Sequence, residues 1–260
     1  MTTVLYHPEI RKHKQVRIFG NMSRTTKKTR SRFWRLATTG ILILMLGMGL
    51  SRFLVVEGYM LDPVNVEPVM QMPELPNGCE AASLASVLQY YGYSVDKLDL
   101  AYGYIPRMDF LEEGETRYGG NPEEYYPGDP ATGVGFYCFA APLAEGANRY
   151  LQQQSSSLQA YDITGISPAG LREYLGQEIP VIVWITIDGE DPRYSHYAWT
   201  DVNTGESILG LANVHCVVLT ALGESKCMLA DPLAGEKVME KDAFIKMFTA
   251  MGSRAVVIHD

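Results

Sequence analysis

Three residues of this chain are placed to do chemistry together: a cysteine at the start of a helix, a histidine opening an apolar strand, and an acid closing the next one. The cysteine is Cys79, in Pro73-Glu74-Leu75-Pro76-Asn77-Gly78-Cys79-Glu80. Beyond it, Leu84, Val87, Leu88 and Tyr91 recur at helical spacing. Asn77 is expected to cap this helix, Glu80 to complete a capping box, and Gly92 to end it. Cys79 then falls in the first turn, where unpaired amides and the helix dipole favour an anion. The expectation is a lowered thiol pKa and a more nucleophilic sulfur. The plain alternative is a small buried cysteine at a helix start.

A thiolate needs a base, and the base an orienting group. Of five histidines, His7 and His13 lie in a basic tail and His259 is the penultimate residue. His215 sits in Asn213-Val214-His215-Cys216-Val217-Val218-Leu219-Thr220, which reads as a buried strand. After the turn-like Gly223-Glu224-Ser225, residues Lys226 to Asp231 read as a second strand, followed by Pro232. A hairpin centred near Gly223 brings His215 and Asp231 opposite or diagonal to each other, and a one-residue slip separates them. A core histidine bonded to a carbonyl is the alternative for His215. His196, in a polar and aromatic stretch, is the reserve candidate for the base.

With these residues in view, the chain resembles the C39-like cysteine peptidases of bacteria, members of the papain-like superfamily. The likeness rests on residues 73–80, on His215 with its apolar strand, and on Asp231-Pro232-Leu233-Ala234-Gly235. Tyr125–Pro130, leading into Gly133–Cys138, and the strand Pro180–Ile185 add to it, and it covers roughly residues 66–258. The resemblance implies an α+β, papain-like fold with the nucleophile helix packed on an antiparallel sheet. It implies that Cys79 is the nucleophile, His215 the base and acid, and Asp231 the residue that orients the histidine. Gln71 matches the glutamine that shares an oxyanion hole with the Cys79 N–H. The implied activity is hydrolysis of peptide bonds through an acyl-enzyme, with no cofactor and no metal. The better-known relatives are fused to ABC transporters, but this chain has no phosphate-binding Gly-rich loop and no multi-span region. Their substrates therefore do not carry over. A cell-wall amidase or peptidoglycan hydrolase with the same chemistry, and an idle binding module, are the alternative functions.

Composition fits one domain beside a membrane. Of the 260 residues, 47% are hydrophobic, enough for a sizeable core. Residues 1–35 hold ten Lys or Arg and one acid, a net of +9, whereas residues 36–260 hold twelve basic and twenty-nine acidic residues, a net of −17. Between these halves, Leu36 to Ser51 is a sixteen-residue uncharged run. Snorkelling of Arg52 extends it to Val56, long enough for one transmembrane helix over 36–56. The basic flank places residues 1–35 in the cytoplasm and the acidic domain, 66–260 after a linker at 57–65, outside the cell. A cleaved signal peptide is the alternative. Nucleic acid is excluded as a partner, because the acidic domain repels phosphate backbones. The expected partners are a peptide or protein substrate, including cell-wall peptide, and the membrane.

The remaining elements are read as a strand at 66–71, helices at 96–102, 142–154, 167–175 and 240–250, and strands at 180–187, 196–201, 206–211, 214–220, 226–231 and 254–259. Residues 105–135 read as a long loop that either shapes a substrate cleft or decorates the surface. Cys138, Cys216 and Cys227 lack zinc-ligand spacing and are expected as buried thiols. Trp184, Trp199 and the sixteen tyrosines suit core packing as well as carbohydrate binding.

Overall fold

The computed structural model describes residues 62–260. The expected basic tail, membrane helix and most of the linker lie outside these residues. Among the described residues no helix is long and apolar enough to cross a membrane.

Helix α1 spans Cys79–Tyr90 and is followed by a short α2, Lys97–Asp99, which runs on into a wider turn over Leu100–Tyr104. Strands β1 (Arg107–Met108), β2 (Leu111–Glu113), β3 (Thr116–Gly119) and β4 (Tyr126–Pro127) occupy the region expected to be a loop. Then come α3 (Ala140–Gln153), β5 (Gln159–Asp162), α4 (Pro168–Leu175), β6 (Val181–Thr186), β7 (Tyr194–Asp201) and β8 (Ser207–Leu211). The chain closes with β9 (Val214–Leu222), β10 (Lys226–Asp231), β11 (Gly235–Glu240), α5 (Lys241–Ala250) and β12 (Ala255–His259).

The central sheet has six strands in the order β11-β10-β9-β6-β12-β5, all antiparallel. Side chains alternate across it, as strand geometry requires. Ile182, Trp184, Cys216, Val218, Val256 and Ile258 face α1 and α3. Val181, Val183, Ile185, Val217, Leu219 and Val257 face α4 and α5, whose Leu171, Phe244 and Phe248 are fully covered. Strands β6, β9, β10 and β12 are therefore largely apolar runs, because both of their faces are buried, whereas the edge strands β5 and β11 are partly exposed. In α1 every residue from Cys79 to Leu88 is buried. Each of Leu84, Val87 and Leu88 contributes roughly 1.5–3 kcal/mol by leaving water.

A second sheet, β2-β3-β7-β8, lies beside the first; β2 and β3 come from the region expected to be a loop, β7 and β8 from the strands expected at 196–201 and 206–211. Under it, Phe110, Phe136 and Trp199 form an edge-on aromatic cluster. Trp199 donates to the Gly120 carbonyl and Trp184 to the Cys138 carbonyl. Both tryptophans are core residues. Gly146 lets α3 close on Ile105, since a Cβ there would come within 2.8 Å of the Ile105 Cα.

The expected strand over 66–71 is not formed. Instead, Val64 N–H ahead of it donates to the Thr220 carbonyl of β9, Val69 N–H to Ser86 Oγ of α1, and Gln71 N–H to the Pro232 carbonyl just after β10. Pro63, Pro68 and Pro73 explain this, because proline cannot donate to a ladder.

Register in the β9–β10 hairpin shifts once. Leu222 faces Cys227 and Ala221 faces Met228, but Leu229 faces Leu219, leaving Thr220 as the extra residue of a β-bulge. Continued to the end of β10, the shifted register sets Asp231 opposite Val217, on the same face as His215 and diagonal to it.

Candidate active site

Asp231 and His215 are both buried and bonded to each other, with His215 Nε2 2.8 Å from Asp231 Oδ1. The same oxygen accepts the Leu233 N–H at 2.9 Å, and Lys237 Nζ stands 3.8 Å from Oδ2. Burial raises the Asp231 pKa. The hydrogen bond and charge of His215, the Leu233 amide and Lys237 outweigh it, so the carboxyl is held below its ordinary range. An ionised Asp231 can only accept, so Nε2 carries a proton, and in the neutral imidazole Nδ1 is then the acceptor.

Cys79 approaches the start of β9 from α1. Its Sγ accepts the N–H of Cys216, the residue after His215, at 3.4 Å. Ser83, one turn further along α1, donates to the Cys216 carbonyl at 3.1 Å. Both main-chain groups of Cys216 are thus held by the helix, which fixes the nucleophile candidate against the backbone beside His215.

Two expectations about Cys79 are corrected. The first concerns the cap. Gly78 is the N-cap residue and no side chain caps the helix. Asn77 instead binds the chain that follows β4, with its N–H donating to the Pro130 carbonyl and its Nδ2 to the Thr132 carbonyl. The second concerns the pKa. Burial, followed by the charge of Glu80, pushes the Cys79 thiol well above its ordinary value; the Cys216 amide opposes this only in part. The sulfur donates its proton to Glu80 Oε2 at 3.3 Å, and among the described residues His215 is not one of its hydrogen-bond partners.

Glu80 is the residue that sequence reasoning misread. It is 1% exposed, and its other oxygen accepts the Cys138 N–H at 3.1 Å. Burial lifts its pKa to about 7, against the lowering effect of its backbone and side-chain hydrogen bonds. Its place next to Cys79 was the available signal, but the same spacing fits a capping box.

Gln71 is buried beside this site, with Nε2 donating to the Pro76 carbonyl at 2.7 Å and Oε1 left without a partner. The Pro76 contact sets which end of the amide is the nitrogen, and the second Nε2 hydrogen remains uncommitted. Lys97 steadies this loop through the Met70 carbonyl and Glu74. Tyr126 bonds the Asn77 and Phe136 carbonyls, which ties the region 105–135 to the loop before Cys79. On the other side, Asn213 joins the start of β9 to Asp188 and Asp191, and Asp188 is drawn down to about 2 by Asn213 and then by Arg193. His196 lies exposed on β7 and is not joined to Cys79. The four cysteines are buried free thiols.

The family description Peptidase_C39 like family matches residues 63–256. A crystal structure of a Bacillus anthracis protein assigned as a C39-like peptidase superposes with a TM-score of 0.64 at 31% identity, covering 76% of this chain and 96% of that one. The uncharacterised protein YvpB of Bacillus subtilis is 31% identical over 190 residues, 73% of this chain and 72% of its own length.

Proposed function

Because this chain belongs to the Peptidase_C39 like family, we propose that it is a membrane-anchored, extracytoplasmic cysteine peptidase whose triad is Cys79, His215 and Asp231. The observation that carries this reading is the buried His215–Asp231 bond, one residue along the chain from the Cys216 amide that binds Cys79 Sγ. His215 Nδ1 takes the Cys79 proton, and the sulfur attacks the carbonyl carbon of a peptide bond. The Cys79 N–H, in the first turn where amides lack helical partners, and Gln71 Nε2 hold the developing oxyanion. The tetrahedral adduct collapses to a thioester as His215 gives its proton to the leaving amine. Water then attacks the thioester, again through His215, and the freed thiol regains its proton. Asp231 holds the imidazole in the required tautomer throughout. The anchor is residues 36–56, and the +9 charge of residues 1–35 keeps that end in the cytoplasm.

The test is hydrolysis of a peptide library by the full chain and by Cys79→Ala, read by mass spectrometry. Cleavage by the first and none by the second supports the reading; retained cleavage in Cys79→Ala removes it. The thiol's bond to Glu80 favours a second reading, a binding module that does not turn over. That reading predicts no cleavage by either protein and the same peptide affinity for both.

A further inference from the structure

The triad leaves Glu80, a buried carboxyl beside Cys79, without a task. Glu80 faces Cys79 on one side and the Cys138 amide on the other, and among the described residues no cation pairs with it. The titratable groups around it are Cys79 from α1, Tyr126 from β4, Tyr137 and Cys138 ahead of α3, and Cys216 from β9. Burial raises all of these, so each stays neutral near pH 7 and the local charge changes only through Glu80 and the triad. A cavity of about 10 Å³, at the lower limit for one water, borders Glu80 between Ala101, Ile105, Tyr126 and Pro130.

We propose that Glu80 is a positioning residue for the nucleophile: its buried carboxylate holds Cys79 as a protonated hydrogen-bond donor and releases it to His215 when that carboxylate takes up a proton. With Glu80 ionised, the S–H proton is engaged by Oε2, and a thiolate would stand beside a second buried anion, which low dielectric penalises. When Glu80 takes a proton from water, its O–H becomes a donor. The S–H proton then passes to His215 Nδ1, and the thiolate accepts from the Glu80 O–H and the Cys216 N–H. The inference rests on the triad reading above.

Glu80→Gln separates charge from shape. The amide oxygen keeps the Cys138 bond, and an N–H₂ replaces the carboxylate oxygen at Cys79. The experiment follows Cys79 alkylation by iodoacetamide, read by peptide mass, from about pH 5 to 9 in the full chain, in Glu80→Gln and in His215→Ala. The expected profile of the unsubstituted chain falls as pH rises through about 7, where Glu80 ionises. Glu80→Gln is expected to lose that fall and to react at least about tenfold faster at pH 8.5, the ordinary thiol range. Superimposable profiles, or a slower Glu80→Gln, overturn the proposal. If His215→Ala suppresses reactivity and Glu80→Gln has no effect, the Glu80 role alone fails. If all three proteins titrate as ordinary thiols, the triad reading fails as well. Should Glu80→Gln not fold, a ¹³C titration of the Glu80 carboxyl in the unsubstituted chain decides. A midpoint coinciding with the loss of Cys79 reactivity supports the role, and a midpoint near the ordinary 4.5 overturns it.

Discussion

Asp231 meets His215 on one face of the sheet because Thr220 bulges out of β9. The turn closes with Leu222 opposite Cys227. A regular ladder from that pair would set Asp231 opposite Val218, on the face away from His215. The extra residue moves Asp231 one place and turns it to the correct side.

That pairing makes Asp231→Asn a sharp test. The amide presents a donor where Nε2–H needs an acceptor, so the imidazole is driven to the wrong tautomer. The expected fall in kcat is about 10²- to 10⁴-fold with little change in the circular dichroism spectrum. Steady-state kinetics on the peptide substrate check it, and unchanged kcat would separate Asp231 from the reaction.

Gln71→Ala removes an oxyanion donor on the proposed reading. The expected loss is about 10²- to 10³-fold in kcat with KM nearly constant, because the donor acts on charge that develops only in the transition state. A change confined to KM would instead assign Gln71 to substrate binding.

Stability should carry the mark of Glu80. Its folded pKa of about 7 lies above the ordinary 4.5, so the folded state binds the proton more tightly. The stability it contributes is fully present below pH 4.5 and is lost as pH rises through about 7, a change of about 3 kcal/mol at most. Urea unfolding at pH 5 and pH 8 should show this fall in the unsubstituted chain and a smaller one in Glu80→Gln, by the same reasoning.

Gly146→Ala tests the seam between α3 and the chain entering β1. Its Cβ would press on the Ile105 Cα, a backbone atom that cannot swing aside. A cost of about 1–3 kcal/mol is expected from such overpacking, outweighing alanine's better helix propensity. Thermal unfolding reads it directly.

The sequence made visible what depends on local pattern. The apolar strands at 180–187, 214–220, 226–231 and 254–259 and the helix following Cys79 stood out, and Ser167 with Pro168 marked the start of α4, where Ser167 Oγ accepts the Gly170 N–H. His215 and Asp231 were legible as a pair, although the bulge that joins them leaves no trace in residue type. Glu80 was misread because a capping carboxylate and a buried one share the same spacing, and only burial by distant segments tells them apart. The small strands within 105–135 escaped notice for a related reason. Strand β3 pairs with β7, far along the chain, and neither strand alternates cleanly.

The bond between Cys79 and Glu80 also bears on durability. Oxidants attack thiolates, and exposed low-pKa cysteines advance to sulfinic and sulfonic acids that cannot be recovered. The thiol of a buried cysteine, engaged by its neighbour's carboxylate, is a poor target for peroxide. On the proposed reading, the contact that restrains Cys79 therefore also shields it from irreversible oxidation.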